Sequence, residues 1–244
     1  MAEEKEVKVR ILQEVSVLEV KEKLEQMFHV KFSEPKQDKD VYIDTKDNFY
    51  YNHSHALRIR NDKAITYKAI FRIPERKEHP WFVLEVEKKF PVSRTDVEEL
   101  FRIANIKCEK KLSEKIDAES MKSILRELNF VERVVVEKKR MKANAQDFEL
   151  CLDEVKDLGL FVEIEAKDVK LLGQFLRSFP FKSEEIRFGY DRLYAQEVLH
   201  MPITDFTERF EKDHDWNYLK GQKQLVEELL RSETYVSATR QHNR

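Results

Sequence analysis

The segment CLDEVKDLGLFVEIE, residues 151–165, decides the fold class of this chain of 244 residues. On either side of Asp157-Leu158-Gly159, a typical tight-turn sequence, polar and apolar side chains alternate with the period of a β-strand. The pattern predicts strands over residues 147–153 and 160–167, joined by a short turn. Strands joined in this way pair antiparallel, so an antiparallel sheet is expected.

The same alternation predicts further strands, separated by turns and amphipathic helices. Asn61-Asp62 suits a tight turn, and residues 73–80, with two prolines and many charges, indicate a loop. Ser93 or Thr95 is expected to cap a helix that begins there. The remaining expected strands are 4–11, 41–43, 56–60, 64–71, 81–90 and 131–141, and the other expected helices are 15–29, 117–128 and 168–178.

This order of elements predicts an α+β fold in one domain that spans residues 1–199. Residues 200–244 differ in character, because they combine helical stretches such as 218–231 with a polar end. We expect them to form a helical C-terminal appendage.

Composition excludes several classes of protein. The 45 basic and 47 acidic residues nearly cancel, so the net charge of -2 predicts no general affinity for nucleic acid or membranes. Two cysteines are too few for a disulfide framework, and no apolar run approaches the roughly 20 residues of a membrane-spanning helix. No glycine-rich phosphate loop of the GxxxxGK[ST] or GxGxxG type occurs. A cytoplasmic protein is expected.

Charges of like sign recur at a spacing of two within several predicted strands. A solvent-exposed outer face explains any one strand, but like charges on one face repel unless a counter-ion lies between them. Hard cations such as Mg²⁺ and Mn²⁺ prefer carboxylate oxygens, while Arg and Lys suit phosphate. The acidic pairs are Glu4/Glu6, Glu85/Glu87 and Glu163/Glu165, and the basic pairs are Lys8/Arg10, Arg58/Arg60 and Lys138/Arg140.

Five segments together resemble the CYTH domain, also called the triphosphate tunnel metalloenzyme family. Residues 4–8 resemble its ExExK signature, and residues 56–60, ALRIR, resemble its next landmark. Residues 137–140 followed by 151–165 resemble its K-x-R and LDxVxxLGxFxEIE block, and residues 190–199 resemble its closing Y-x-x-L segment. The resemblance implies an eight-stranded antiparallel β-barrel, with flanking helices, that binds a triphosphate with Mg²⁺ or Mn²⁺. Residues 72–80 match nothing in the family pattern.

The resemblance also implies roles for matching residues. Tyr190, in the closing Y-x-x-L segment, is the weakest of these matches. The implied metal ligands are Glu4, Glu6, Asp153, Glu163 and Glu165. The implied phosphate ligands are Lys8, Arg10, Arg58, Arg60, Lys68, Lys138 and Arg140. The implied catalytic residues are Glu85, Glu87 and Asp153.

Three functions stay open from the sequence. Hydrolysis of a small-molecule triphosphate is favoured because no motif for recognising a base is visible. Cyclisation of ATP to cyclic AMP and pyrophosphate is the alternative, because the sequence of residues 151–165 closely resembles that of the adenylyl cyclase branch of the family. A non-catalytic module that binds polyphosphate or nucleotide is the third, and a homodimer is among the assemblies left open.

Two other residue types are expected to play no part in catalysis. His53 and His55 are expected to be solvated loop histidines. Cys151 lacks a histidine partner, so we expect a small strand residue rather than a nucleophile.

Overall fold

The computed structural model describes residues 5–53, 55–72, 81–166, 168–186 and 189–201. Glu4, the predicted loop 73–80 and nearly all of the predicted appendage lie outside the described residues. Eleven strands and six helices are described. The strands are β1 (Lys5–Ile11), β2 (Lys36–Thr45), β3 (His55–Arg60), β4 (Ala64–Arg72), β5 (Trp81–Lys89), β6 (Val92–Ser93), β7 (Lys115–Ile116), β8 (Phe130–Asn144), β9 (Phe148–Val155), β10 (Gly159–Ala166) and β11 (Ser183–Ile186). The helices are α1 (Val17–Phe28), α2 (Phe49–Asn52), α3 (Arg94–Ile103), α4 (Ala118–Glu127), α5 (Val169–Ser178) and α6 (Tyr190–Glu197).

The chain divides into two compact units, one formed by Met1–Asp40 with Val134–Met201 and the other including Val41–Arg133. In the first unit the strand order is β11-β1-β10-β9-β8, and the paired strands run antiparallel. Alternate residues of these strands pack against α1 and α5 in one apolar core. This core includes Val9, Val20, Leu24, Leu152, Val162, Ile164, Leu172 and Phe175.

The second unit repeats this arrangement with other elements. Its strand order is β2-β3-β4-β5, and β3, β4 and β5 pair antiparallel. One face of these strands packs against α3 and α4, while β6 and β7 form a separate two-stranded sheet. The apolar core of this unit includes Leu57, Ile59, Ile65, Tyr67, Leu84, Val97, Leu100, Phe101, Met121 and Leu125.

The α+β class and the antiparallel pairing are confirmed, but the eight-stranded barrel is not. The two series of strands contain nine strands, and among the described residues the pairings of neither series close into a ring. Alternation within a strand reveals which side chains share a face. It does not reveal whether the first and last strands meet, and β11, which the sequence analysis missed, adds an edge strand.

Local sequence signals account well for the turns and helix starts. Asn61 and Asp62 both adopt positive φ (52°), and Gly159 adopts a φ of 100°, which a glycine tolerates without strain. Ser93, one of the two predicted caps, accepts a hydrogen bond from the backbone N–H of Asp96. Asp117 caps α4 in the same way. None of the described helices is long and apolar enough to cross a membrane.

Candidate functional site

One face of the first unit is covered by α1 and α5, and the opposite face carries charged side chains. On β1 these are Glu6, Lys8 and Arg10, because Val7, Val9 and Ile11 belong to or pack against the core. The register places Lys8 opposite Glu163 and Glu6 opposite Glu165 on β10. The alternation that defines the core therefore also gathers these charges on one surface.

Arg140 of β8 joins two carboxylates from neighbouring strands. Its Nε lies 2.7 Å from Oδ1 of Asp153, and its Nη2 lies 2.5 Å from Oδ2 of Asp153 and 2.5 Å from Oε2 of Glu163. Asp153 is fully buried, with 0% of its surface exposed. Such a bidentate, charge-assisted pair fixes the geometry of both partners. Burial alone would lower the pKa of Arg140, but its hydrogen bond to Asp153 and the charge of Glu163 hold it above its ordinary value.

Two lysines complete this cluster. The Nζ of Lys8 lies 3.1 Å from Oε1 of Glu163, and the Nζ of Lys138 lies 3.5 Å from Oδ2 of Asp153. Burial alone would lower the pKa of Lys8, but Glu163 and Glu6 outweigh it, so that the pKa lies above its ordinary value. Burial likewise opposes ionisation of Glu163, yet the charges of Lys8, Arg140 and Lys138 hold its pKa well below the usual range. Lys8 and Glu163 are therefore both charged at neutral pH.

Tyr190, the first residue of α6, lies at the centre of this cluster. Its hydroxyl donates to Oδ2 of Asp153 at 2.8 Å. The Nζ atoms of Lys8 and Lys138 lie 4.5 Å and 4.8 Å from the centre of its ring, which are cation–π distances. Burial, with Glu163 and Asp153 nearby, raises the pKa of Tyr190 well above its usual value, so the phenol stays protonated.

Arg10 lies beside the cluster and pairs with acidic residues of two other elements. Its Nη1 lies 2.7 Å and 2.9 Å from the two carboxylate oxygens of Glu197 in α6. Glu184 of β11 is 3.8 Å away. The guanidinium also lies over the ring of Phe161, 5.8 Å from its centre. The predicted phosphate ligand Arg10 is thus engaged by a carboxylate from near the end of the described chain.

The carboxylates of this face suit a hard cation at one place. Glu6 and Glu165 are both exposed and lie directly opposite each other on adjacent strands, where two negative charges repel. Mg²⁺ is commonly bound by one or two carboxylates together with substrate phosphates, so this pair fits such an ion. Among the described residues no three His, Cys, Asp or Glu side chains converge as a preformed metal cage. Both oxygens of Asp153 already accept hydrogen bonds, Oδ1 from Arg140 and Oδ2 from Arg140, Lys138 and Tyr190.

The predicted residues of the second unit also share one face. Lys68 of β4 lies opposite Glu85 of β5, with their charged atoms 3.5 Å apart. The Nη2 of Arg58 is 3.5 Å from the other oxygen of Glu85. Thr66 lies opposite Glu87 and donates to it at 3.4 Å. Arg60 follows on the same face of β3, as the alternating burial of that strand shows.

Several groups of the site carry little or no mark in the sequence. Glu184, Glu197 and Phe161 were not singled out, and Tyr190 was rated the weakest family match. No local pattern marks the two glutamates, because both meet Arg10 only through the tertiary fold. For Phe161 the sequence offers one signal, its position two residues before Glu163 in the alternating run Phe161-x-Glu163-x-Glu165.

Two expectations about non-catalytic residues had different outcomes. Cys151 is buried, and burial raises the pKa of its thiol to about 12, which makes it a poor nucleophile as expected. The expectation for His55 was wrong. It begins strand β3, is 4% exposed, and bonds through Nδ1 to the hydroxyl of Tyr67 at 2.9 Å. Its neighbour His53 is half-buried and contacts the carbonyl oxygen of Phe49 through Nδ1 at 2.6 Å.

Comparison with known proteins identifies the family. The model of the CYTH domain matches residues 2–170, and the chain belongs to this family. A protein of Methanocaldococcus jannaschii named "Putative adenylate cyclase MJ0240" is 29% identical over 167 residues, which cover 66% of this chain and 75% of that protein.

Solved structures show similar folds. The PH1819 protein from Pyrococcus horikoshii OT3 matches 80% of this chain and 99% of its own, with a TM-score of 0.52 and 22% identity, a likeness that concerns the fold alone. "Putative adenylyl cyclase HpAC1" from Hippeastrum, described as revealing a dominant triphosphatase activity, matches 78% of this chain and 94% of its own, at a TM-score of 0.49 and 15% identity.

Proposed function

We propose that this chain is a divalent-metal-dependent hydrolase of a small-molecule triphosphate, such as inorganic triphosphate, thiamine triphosphate or a nucleotide. The observation that carries the proposal is the convergence of Lys8, Lys138 and Arg140 on one sheet face, beside the opposed carboxylates Glu6 and Glu165. Membership of the CYTH family supports it, since the family includes adenylyl cyclases and triphosphatases.

The cations of the first unit have the chemistry that a polyphosphate needs. The bonds of Arg140 to its carboxylates use Nε and Nη2, so the N–H groups on Nη1 are directed elsewhere and suit a phosphate oxygen. Lys8, Lys138 and Arg140 converge on Asp153 and Glu163, and Lys8 also lies 3.6 Å from Glu6. Three cationic side chains at one place supply N–H donors for the oxygens of a polyanion. Arg58, Arg60 and Lys68 are proposed as further phosphate ligands.

Glu6 and Glu165, with Glu163 and Glu4, are proposed to hold Mg²⁺ or Mn²⁺. When bound there, the ion supplies charge neutralisation on the phosphate oxygens. Asp153 is proposed to orient the basic side chains, because it already meets Arg140, Lys138 and Tyr190. A metal-ligand role for Asp153 is proposed as the alternative. Glu85 and Glu87 remain proposed catalytic carboxylates.

In hydrolysis a water oxygen attacks the terminal phosphorus, and the bond from that phosphorus to the bridging oxygen breaks. The leaving diphosphate takes the electron pair, and the basic side chains stabilise the charge that develops there. The rings next to the cluster do not suit base recognition, because Tyr190 and Phe161 are 5% and 0% exposed. This favours a substrate recognised through its phosphates.

Adenylyl cyclase activity is the second candidate. The observation in its favour is the 29% identity to a protein named as an adenylate cyclase. The two reactions differ in their products, because hydrolysis releases orthophosphate whereas cyclisation of ATP releases cyclic AMP and pyrophosphate.

A product assay on the full chain tests the proposal. Inorganic triphosphate, thiamine triphosphate and ATP are each incubated with Mg²⁺ or with Mn²⁺, and orthophosphate, pyrophosphate and cyclic AMP are measured. We expect orthophosphate, with activity lost on addition of EDTA. Cyclic AMP and pyrophosphate from ATP would establish the cyclase instead, and binding without any product would establish a non-catalytic module.

The variant Glu6→Gln tests the proposed metal ligands. We expect turnover to fall by about 100-fold or more, because one of the two opposed carboxylates is neutralised. The fold should persist, because Glu6 is exposed and its contact with Lys8, at 3.6 Å, is a long one, and because removing one of two like charges relieves repulsion. Glu154→Gln is the matched control, because Glu154 lies on the other face of β9 and pairs with exposed Lys139. Wild-type turnover in Glu6→Gln would contradict the proposed metal site.

A further inference from the structure

We propose that Tyr190 is a positioning residue for the triphosphate site, whose hydroxyl holds Asp153 and whose ring holds the ammonium groups of Lys8 and Lys138. This inference rests on the proposed function, because it assumes that these cations bind phosphate. It assigns a task to α6, which comes from a part of the sequence distant from the strands that carry the charges.

The hydroxyl of Tyr190 is one of three donors to a single oxygen. Oδ2 of Asp153 accepts from Arg140 Nη2, from Lys138 Nζ and from the phenol at 2.8 Å. The phenol is the neutral donor among them, so it orients the carboxylate without changing the charge of the cluster. Because Asp153 is fully buried, water does not replace this bond when it is lost.

The ring of Tyr190 acts on two cations together. Lys8 and Lys138 lie on different strands, and their Nζ atoms are 4.5 Å and 4.8 Å from the ring centre. An ammonium group over an aromatic face is stabilised without using its hydrogen-bond donors. The ring therefore localises both lysines and leaves their N–H groups for oxygen acceptors.

The position of the ring is itself fixed by packing. Tyr190 packs edge-to-face on Phe161, with ring centres 5.0 Å apart and planes at 76°. Leu193 and Ala195 of the same helix are also buried, so α6 is anchored by apolar contacts. A rigid support of this kind is what a binding site needs if its charged groups are to keep their geometry.

Two substitutions separate the hydroxyl from the ring. Tyr190→Phe keeps the ring and removes the hydrogen bond to Asp153, whereas Tyr190→Leu removes both. Steady-state hydrolysis of inorganic triphosphate with Mg²⁺ is measured on the full chain. For Tyr190→Phe we expect kcat to fall about tenfold with KM within about twofold, because the cations stay in place while their carboxylate anchor loosens. For Tyr190→Leu we expect KM to rise about tenfold as well.

Tyr194→Phe is the matched control. Tyr194 lies one turn further along α6, and its hydroxyl donates to Asp157 at 3.3 Å in an exposed position outside the cluster. We expect both kinetic constants of this variant to stay within about twofold of wild type. Circular dichroism and thermal melting establish that each variant is folded, and a Tyr190→Leu that fails to fold leaves the test to Tyr190→Phe.

The outcomes separate this inference from the proposed function. An active wild-type protein whose kcat and KM are unchanged in Tyr190→Phe overturns the positioning role alone. A wild-type protein that binds triphosphate without turnover overturns the proposed hydrolase activity. In that case the Kd of Tyr190→Leu for triphosphate, measured by calorimetry, tests the role of the Tyr190 ring. We then expect binding to be about tenfold weaker than in wild type. Unchanged Kd in that case overturns the role of Tyr190. A wild-type protein that does not bind triphosphate overturns both.

Discussion

At the scale of single residues, Arg140 contacts the fully buried Asp153 and the partly buried Glu163. Its guanidinium meets both oxygens of Asp153 and one of Glu163, and 15% of its side chain is exposed. A buried charge that loses its partner destabilises the fold far more than a surface pair does. Arg140 therefore supports the folded state as well as the proposed site.

The variant Arg140→Met tests this support. We expect the free energy of unfolding to fall by about 3 kcal/mol, because Glu163 and Asp153 lose a charged partner inside the protein. Lys139→Met, at the adjacent position, should change it by less than about 1 kcal/mol, since the pair of Lys139 with Glu154 is exposed. Urea denaturation of both variants is the measurement. Equal stability of the two variants would contradict the structural role of Arg140.

At the scale of elements, α6 contacts the charged face of the first unit at two points, on β9 and on β1. Tyr190 at its start reaches Asp153, and Glu197 at its end holds Arg10. The pair of Arg10 with Glu197 is partly exposed, with 22% and 39% of the side chains accessible. A phosphate group that binds Arg10 therefore competes with a carboxylate that is weakly held.

Glu197→Gln should strengthen binding of the triphosphate. We expect KM for inorganic triphosphate to fall by about twofold to fivefold, because an exposed ion pair contributes about 0.2–1 kcal/mol. Glu137→Gln serves as control. Glu137 lies outside the cluster, and its carboxylate is 3.1 Å from the Nζ of exposed Lys156. A KM for Glu197→Gln that equals the control's would show that Arg10 does not bind the substrate.

At the scale of the whole molecule, acid stability depends on a group outside the charged clusters. His55 is buried beside Tyr67 and Tyr50, and burial, with His53 nearby, lowers its pKa to about 3. The unfolded chain protonates this histidine near pH 6.5, whereas the folded protein keeps it neutral. Between pH 3 and pH 6.5 the unfolded state binds one more proton than the folded state, so the free energy of unfolding rises with pH. The contribution of neutral His55 is complete above about pH 6.5 and is lost progressively as the pH falls below that value.

This linkage predicts a specific pH dependence. From pH 7 to pH 5, His55 should cost the wild-type protein about 2 kcal/mol of unfolding free energy, at about 1.4 kcal/mol per pH unit. His55→Asn should lack this part of the pH dependence, whatever its stability at pH 7. His29→Asn, at an exposed position after α1, should keep it. The free energy of unfolding is measured by urea titration at pH 7 and at pH 5. An equal loss of unfolding free energy in wild type and in His55→Asn would contradict the assignment of this pH dependence to His55.

The sequence predicted most of the local structure because its signals are local. Period-two alternation placed β1, β3, β4, β8, β9 and β10, and the predicted cap Ser93 marks the start of α3. The same alternation put Glu6, Lys8 and Arg10 on one face and singled out the pairs Lys138/Arg140 and Glu163/Glu165, and the family motifs added Asp153. Short elements without clear periodicity, such as β11 and α6, were missed.

The sequence by itself determined which side chains share a face of each strand, because alternation requires only neighbouring residues. The tertiary structure alone decided which faces meet which partners. Tyr190 reaches Asp153 across 37 positions, and Glu197 reaches Arg10 across 187. It also decided that His55 is buried and that nine strands form without closing in the described residues. These outcomes depend on long-range packing and strand register, which no local pattern specifies.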